Sequence, residues 1–220
     1  MTMQIPKEWT FNSGEVAKHF ETHVREQLPW YDLVTDAIVH IARHYIPVNG
    51  VVYDIGASTG NIGRALADVL KVRDSELIAV ESSLEMLKHY SGPGTIINND
   101  ACNVSYTKHD VSILYLVLMF LPVSKRYKLL KTLYEQLNPG GVIIIVDKII
   151  SPAGYPGTVL RRLPMYWKTK QGASAKEIVE KELSLAGAQR PISGMDFPAP
   201  AVQFFQMGEF CGWLIEKECA

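Results

Sequence analysis

Five short apolar runs, at residues 51–55, 77–80, 95–97, 113–118 and 142–146, constrain this chain more than any other feature of it. Each run is continuously apolar rather than alternating, so each needs apolar cover on both faces. Stretches of helical period separate them: Ile62, Leu66 and Leu70 follow the first run, and Leu84 and Leu87 follow the second. A further helix is expected over about 124–137, ending at Asn138-Pro139-Gly140-Gly141. Strand–helix alternation of this kind builds a parallel sheet wound with helices on both faces.

The flanks extend that plan. Ser13 is placed to cap a helix over 15–27, with Val16, Phe20 and Val24 on one stripe. Leu28-Pro29-Trp30 interrupts it, and a second helix over 31–45 aligns Leu33, Ala37, Ile38 and Ile41 before Pro47. After the fifth run come helical stretches over about 158–168 and 174–186. Two apolar stretches, 202–207 and 210–216, are then joined at Gly208-Glu209. That last pattern is a hairpin, which adds antiparallel pairing at one sheet edge. The expected fold is α/β, a doubly wound, mostly parallel seven-stranded sheet forming a single domain over 1–220.

Composition narrows the function. Lys plus Arg number 22 against 23 Asp plus Glu, a net charge of −1, so no strong nucleic-acid footprint is expected. A nucleic-acid substrate held by one local patch stays open. Cys102, Cys211 and Cys219 show no CxxC spacing, so neither a disulfide framework nor a metal site is indicated. The start shows no cationic run leading into an apolar stretch. The longest apolar run, 113–121, is about half the roughly 20 residues that span a bilayer and reads as a buried strand. A soluble, cytoplasmic protein without membrane partners is the expectation.

The chemistry gathers where the first strands end. Val52-Tyr53-Asp54-Ile55-Gly56-Ala57-Ser58-Thr59-Gly60-Asn61 runs from a buried strand through an acid and small residues into a helix. Gly56 and Gly60 permit backbone angles and a close ligand approach that a Cβ would obstruct. Glu81 closes the second strand 21 positions beyond Gly60, near the spacing of a ribose-binding acid. Asp100 follows the third, where a side chain or adjacent backbone meets an adenine edge. Acids at three consecutive strand ends suit an adenosine-like ligand. The Gly56-x-Ser58-x-Gly60 spacing departs from the dinucleotide fingerprint, and no P-loop is present. An acid directly before the turn suits a sulfonium or ammonium better than phosphates.

The cation-bearing nucleoside is S-adenosylmethionine, and this block resembles the nucleotide motif of class I methyltransferases, with their Rossmann-like fold. Asn138-Pro139-Gly140-Gly141-Val142 resembles that superfamily's turn into the fifth strand. Within it, the chain is similar to the carboxy-S-adenosylmethionine synthase family. The similarity runs from Trp9-Thr10-Phe11 and Leu28-Pro29-Trp30-Tyr31 through Tyr53-Asp54-Ile55-Gly56-Ala57-Ser58 and Leu118-Met119-Phe120-Leu121-Pro122. It continues at Trp167-Lys168, Gly172-Ala173-Ser174 and Phe204-Phe205-Gln206. The resemblance implies that Tyr31, Gly56, Ala57, Ser58, Glu81, Ser82, Asp100 and Ala101 take the family's cofactor-contact positions. It also implies that residues 1–47 form a helical lid over a core of 48–220. Two departures stand out. Tyr115 occupies the end of the fourth strand where the family has Asn. No Arg matches the one with which the family binds the extra carboxylate of the carboxylated cofactor; an acidic run, 177–182, stands there.

The expected activity is S-adenosylmethionine-dependent methyl transfer, with Asp54, Gly60 and Tyr115 added to the cofactor contacts. The acceptor is a small molecule or a nucleotide. Methyl transfer needs an aligned nucleophile and often no base, so no catalytic residue is certain; Tyr115, Arg161 and Arg162 are the candidates. Arg161-Arg162-Leu163-Pro164-Met165-Tyr166-Trp167-Lys168 either lines the acceptor pocket or covers the sheet as a solvated basic helix. Lys125-Arg126-Tyr127-Lys128 and Lys131 read as a solvated helix face, His109-Asp110 as loop surface and Cys102 as a small buried residue. No Asn-Pro-Pro-Tyr or Pro-Cys segment of DNA-base methyltransferases is present. The alternatives are a synthase of the carboxylated cofactor using prephenate, as the resemblance implies, and a non-catalytic nucleoside-binding protein. A homodimer is one expectation for its assembly.

Overall fold

The computed structural model describes residues 6–193 and 197–219. The expectation that the chain starts without a signal segment falls partly on residues 1–5, outside the described residues. Seven strands form one sheet: β1 (Val51–Ile55), β2 (Glu76–Glu81), β3 (Thr95–Asn98), β4 (His109–Tyr115), β5 (Leu137–Lys148), β6 (Val202–Met207) and β7 (Phe210–Glu216), in the order β3-β2-β1-β4-β5-β7-β6. The first five are parallel, and β7 pairs antiparallel with both β5 and β6. The helices are α1 (Gly14–Gln27), α2 (Tyr31–Tyr45), α3 (Asn61–Arg73), α4 (Leu84–Leu87), α5 (Val123–Gln136), α6 (Tyr155–Lys170) and α7 (Ala175–Ser184).

Alternating side chains of the buried strands feed two cores. Val142, Ile144 and Val146 of β5 pack with Val34, Ile38 and Ala42 of α2 and Ile62, Leu66 and Leu70 of α3. Ile143 and Ile145 face the other way, against Leu129, Leu130 and Leu133 of α5. That period of two across a doubly covered sheet is what continuous apolar runs require. Ser13 caps α1 by accepting from the Val16 amide, and Ser174 with Glu177 forms a capping box on α7.

Three readings of the sequence are corrected. The fourth strand starts at His109 and ends at Tyr115, because Leu116 takes a left-handed φ of 62° and residues 118–120 form a 3₁₀ turn. The buried Asp147 carboxylate accepts from the Leu118 amide at 2.6 Å and so fixes that turn. His109 and Asp110 are buried in β4 instead of lying in a loop. His109 bonds the Thr107 carbonyl (2.8 Å) and the Ser112 hydroxyl (2.6 Å), while Asp110 accepts from Val51 N and Asn138 Nδ2, both at 2.8 Å. Arg126 is also buried, its guanidinium donating to the carbonyls of Leu121 and Arg190. Each polar group is inside because a partner waits there.

Candidate active site

β1 lies between β2 and β4 in the sheet, so the chain reverses its direction of winding at β1, and a crevice opens beyond the strand ends. The turn after β1 fills it tightly. Gly56 (φ 71°) and Gly60 (φ 91°) are both left-handed; a Cβ would lie 2.6 Å from Val117 Cγ2 at Gly56 and 2.7 Å from the Gly92 amide at Gly60. Ser58 is left-handed as well (φ 52°) and is held by its amide donating to Glu81 Oε2 at 2.8 Å. Glu81 Oε1 accepts from the Ser83 amide at 2.7 Å. Each Glu81 oxygen therefore keeps one free acceptor position.

Asp54 sits beside Glu81, 2% exposed, with Oδ2 unpartnered. Burial, reinforced by the Glu81 charge, pushes its carboxyl up to about 7. Glu81 is also raised by burial, against the pull of the backbone amides it accepts from. Two buried acids facing one crevice are stabilised by a cationic ligand group.

The crevice widens into a cavity of about 750 Å³. Two helices each present an i, i+3, i+4, i+7 stripe to it: Phe20, His23, Val24 and Gln27 from α1, and Arg161, Pro164, Met165 and Lys168 from α6. Tyr31 and Tyr115 stack at 4.8 Å on its wall, and the Tyr115 hydroxyl donates to the Tyr31 carbonyl at 2.8 Å. Burial raises both phenols well above the ordinary tyrosine value, so both stay protonated at neutral pH. The segment before α1 crosses the cavity as a strap. Its Trp9 amide bonds the Ser184 carbonyl (2.9 Å), and its Phe11 carbonyl accepts from the Ser83 hydroxyl (2.7 Å). Glu21 ties α1 to the turn after β1, accepting from the Thr59 hydroxyl at 2.8 Å and pairing with Arg64.

The structure brings Tyr31, Asp54, Gly56, Ala57, Ser58, Glu81, Ser82, Tyr115 and Arg161 to this one cavity. Gly60 lies behind the wall as the left-handed N-cap of α3. Asp100 and Ala101 stand off the wall; Asp100 caps a 3₁₀ turn through the Cys102 amide. Arg162 is exposed on the far side of the α6 stripe. Sequence reasoning marks Trp9 and Lys168 only as motif members and misses Glu21, His23 and Lys181. The helical spacing of His23 with Phe20 and Gln27 is the signal that would have placed it on the inner face. Among the described residues no helix is long and apolar enough to cross a membrane, and no group of three His, Cys, Asp or Glu could hold a metal ion.

A methyltransferase-domain family model matches residues 53–145. A solved structure of a protein described as a putative S-adenosyl-L-methionine-dependent methyltransferase from Methanococcus maripaludis superposes with a TM-score of 0.57. It shares 17% identity and covers 100% of this chain and 98% of its own. Sheet order, turn and domain thus define the class: a protein of class I methyltransferase fold. The carboxy-S-adenosyl-L-methionine synthase of Trichodesmium erythraeum is 30% identical over 197 residues, covering 86% of this chain and 77% of its own. That of Staphylococcus epidermidis is 28% identical over 193 residues, covering 86% and 84%. The chain belongs to the carboxy-S-adenosyl-L-methionine synthase family.

Proposed function

We propose that this chain transfers a methyl group from S-adenosylmethionine to a small acceptor held in the same cavity. The observation that carries the reading is the buried Asp54 carboxylate beside Glu81 near the end of β1, its Oδ2 left without a partner. The cofactor's cationic amino-acid end fits Asp54, and its ribose hydroxyls fit the two free acceptor positions of Glu81. When bound, the cofactor supplies a methyl group on a positively charged sulfur. The chain's own contribution is orientation. The Tyr31–Tyr115 stack forms a rigid wall, and α1 with its strap covers the cavity against water. Alignment of that kind contributes up to about 7–11 kcal/mol without a catalytic base. Tyr115 is not a base, since its proton is committed to the Tyr31 carbonyl.

Family membership favours a second reading, a synthase of the carboxylated cofactor. Against it, α7 presents Glu182 rather than an arginine to the cavity, and the arginine on its wall, Arg161, comes from α6. The first reading takes the protein as a cytoplasmic enzyme, with the lid of 1–47 narrowed to the strap and α1 because α2 packs in the core, a homodimer for its assembly and Asp100 and Ala101 at the adenine end. Mass spectrometry of the nucleoside carried through purification tests it. S-adenosylmethionine or its homocysteine product supports methyl transfer, the carboxylated cofactor supports the second reading, and an empty protein that binds neither points to a non-catalytic role.

A further inference from the structure

One end of the cavity holds polar groups that the cofactor contacts do not use. His23 (9% exposed), Lys168 (8%) and Lys181 (6%) are buried together on its wall. They come from three separate helices, α1, α6 and α7. Lys181 Nζ lies over the Trp9 indole, 2.7 Å from the ring centroid, and the Trp9 ring stacks on His23 at 5.6 Å. Lys168 Nζ pairs with Glu182 Oε1 at 3.2 Å, and Glu182 is the acid that α7 brings to this group. His23 Nε2 and Trp9 Nε1 are buried without partners. Two lysines and one carboxylate, paired only with Lys168, thus meet at one end of the cavity, and two ring nitrogens stand unsatisfied beside them.

We propose that His23, Lys168, Lys181 and Trp9 form an anion subsite that takes the carboxylate of the acceptor, an aromatic carboxylic acid. The proposal rests on the methyl-transfer reading and names the substrate class of that site. A carboxylate there relieves the repulsion between the lysines and accepts from an indole N–H that is otherwise unsatisfied. Phe11, Phe20 and Phe120 supply the apolar wall for the ring, with Phe11 edge-on to Phe120 at 4.9 Å. The lysines are two point charges and not the planar fork of an arginine, so the subsite attracts an anion without imposing bidentate geometry.

The electrostatics agree with that geometry. Burial, then Lys168, lowers Lys181 to about 6, against the opposing pull of Glu182. Burial, then Lys181 and Lys168, lowers His23 to about 3 and keeps it neutral. An anion seated here raises Lys181, so binding takes up a proton and tightens as pH falls from about 8 towards 6.

Calorimetric titration of the full chain with phenylacetate and with its neutral isostere phenylacetamide tests the proposal. Wild-type protein is expected to prefer phenylacetate by about tenfold or more at pH 6.5. Lys181→Met and Lys168→Met are expected to lose that preference while binding S-adenosyl-L-homocysteine within about twofold of wild type. Melting curves confirm that the variants are folded. Equal binding of the two probes to wild type overturns the proposal, as does a preference that survives both substitutions. So does a matching loss of S-adenosyl-L-homocysteine affinity in the lysine variants, because the cluster would then hold the cofactor's own carboxylate. Wild-type protein that prefers phenylacetate yet binds no S-adenosyl-L-homocysteine would support the subsite and overturn the cofactor reading instead.

Discussion

Glu81 uses one oxygen to hold the strained Ser58 amide and the other to hold Ser83, so the acid proposed to meet the ribose also shapes the turn after β1. Charge-assisted bonds of this type are worth about 1.5–3 kcal/mol each. Glu81→Ala is therefore expected to weaken S-adenosylmethionine binding by at least about tenfold in calorimetry, in a variant that still folds. Asp54 gives a sharper test through pH. Its carboxyl sits at about 7 because burial, then Glu81, disfavours the charge. A cationic ligand favours the ionised form, so cofactor affinity is expected to fall as pH drops below about 7. Asp54→Asn should bind weakly and lose that part of the dependence; an unchanged pH profile would argue against the contact. The two acids were legible in the sequence because each ends an apolar run. His23 and Lys181 were not, because only the packing of α1 and α7 against α6, with Trp9 between them, brings these distant positions together.

At the scale of elements, α1 and α2 do different work although both precede the sheet. Ile38 and Ala42 of α2 are fully buried under it, whereas α1 reaches the turn after β1 mainly through the half-exposed Glu21. Ile38→Ala is expected to cost about 2–5 kcal/mol of global stability in urea titration. Glu21→Gln should change global stability by less than about 1 kcal/mol while speeding amide exchange in α1, which hydrogen-exchange mass spectrometry reads segment by segment. A Glu21→Gln protein with unaltered exchange in α1 would show that the tie to Arg64 and Thr59 does not hold the cover. The bounds of α2 and of the 202–207 and 210–216 hairpin were readable from period and breakers. The end of β4 was not, since a left-handed leucine inside an apolar run leaves no mark on composition or spacing.

Across the whole molecule, the apolar runs announce a parallel sheet but not its order. The order matters, because the reversal at β1 puts Asp54, Glu81 and Tyr115 around one opening. Strap, α1, α6 and α7 then line that opening with residues scattered through both ends of the chain. The fold was thus accessible from short motifs, while the wall built by the strap, α1, α6 and α7 depends on tertiary packing. The central claim is that this cavity transfers the methyl group rather than remaking the cofactor. Incubating the protein with S-adenosylmethionine and prephenate, followed by liquid chromatography–mass spectrometry of the nucleosides, tests it most directly. The account predicts S-adenosylmethionine recovered unchanged with no carboxylated cofactor; efficient formation of carboxy-S-adenosylmethionine would contradict it.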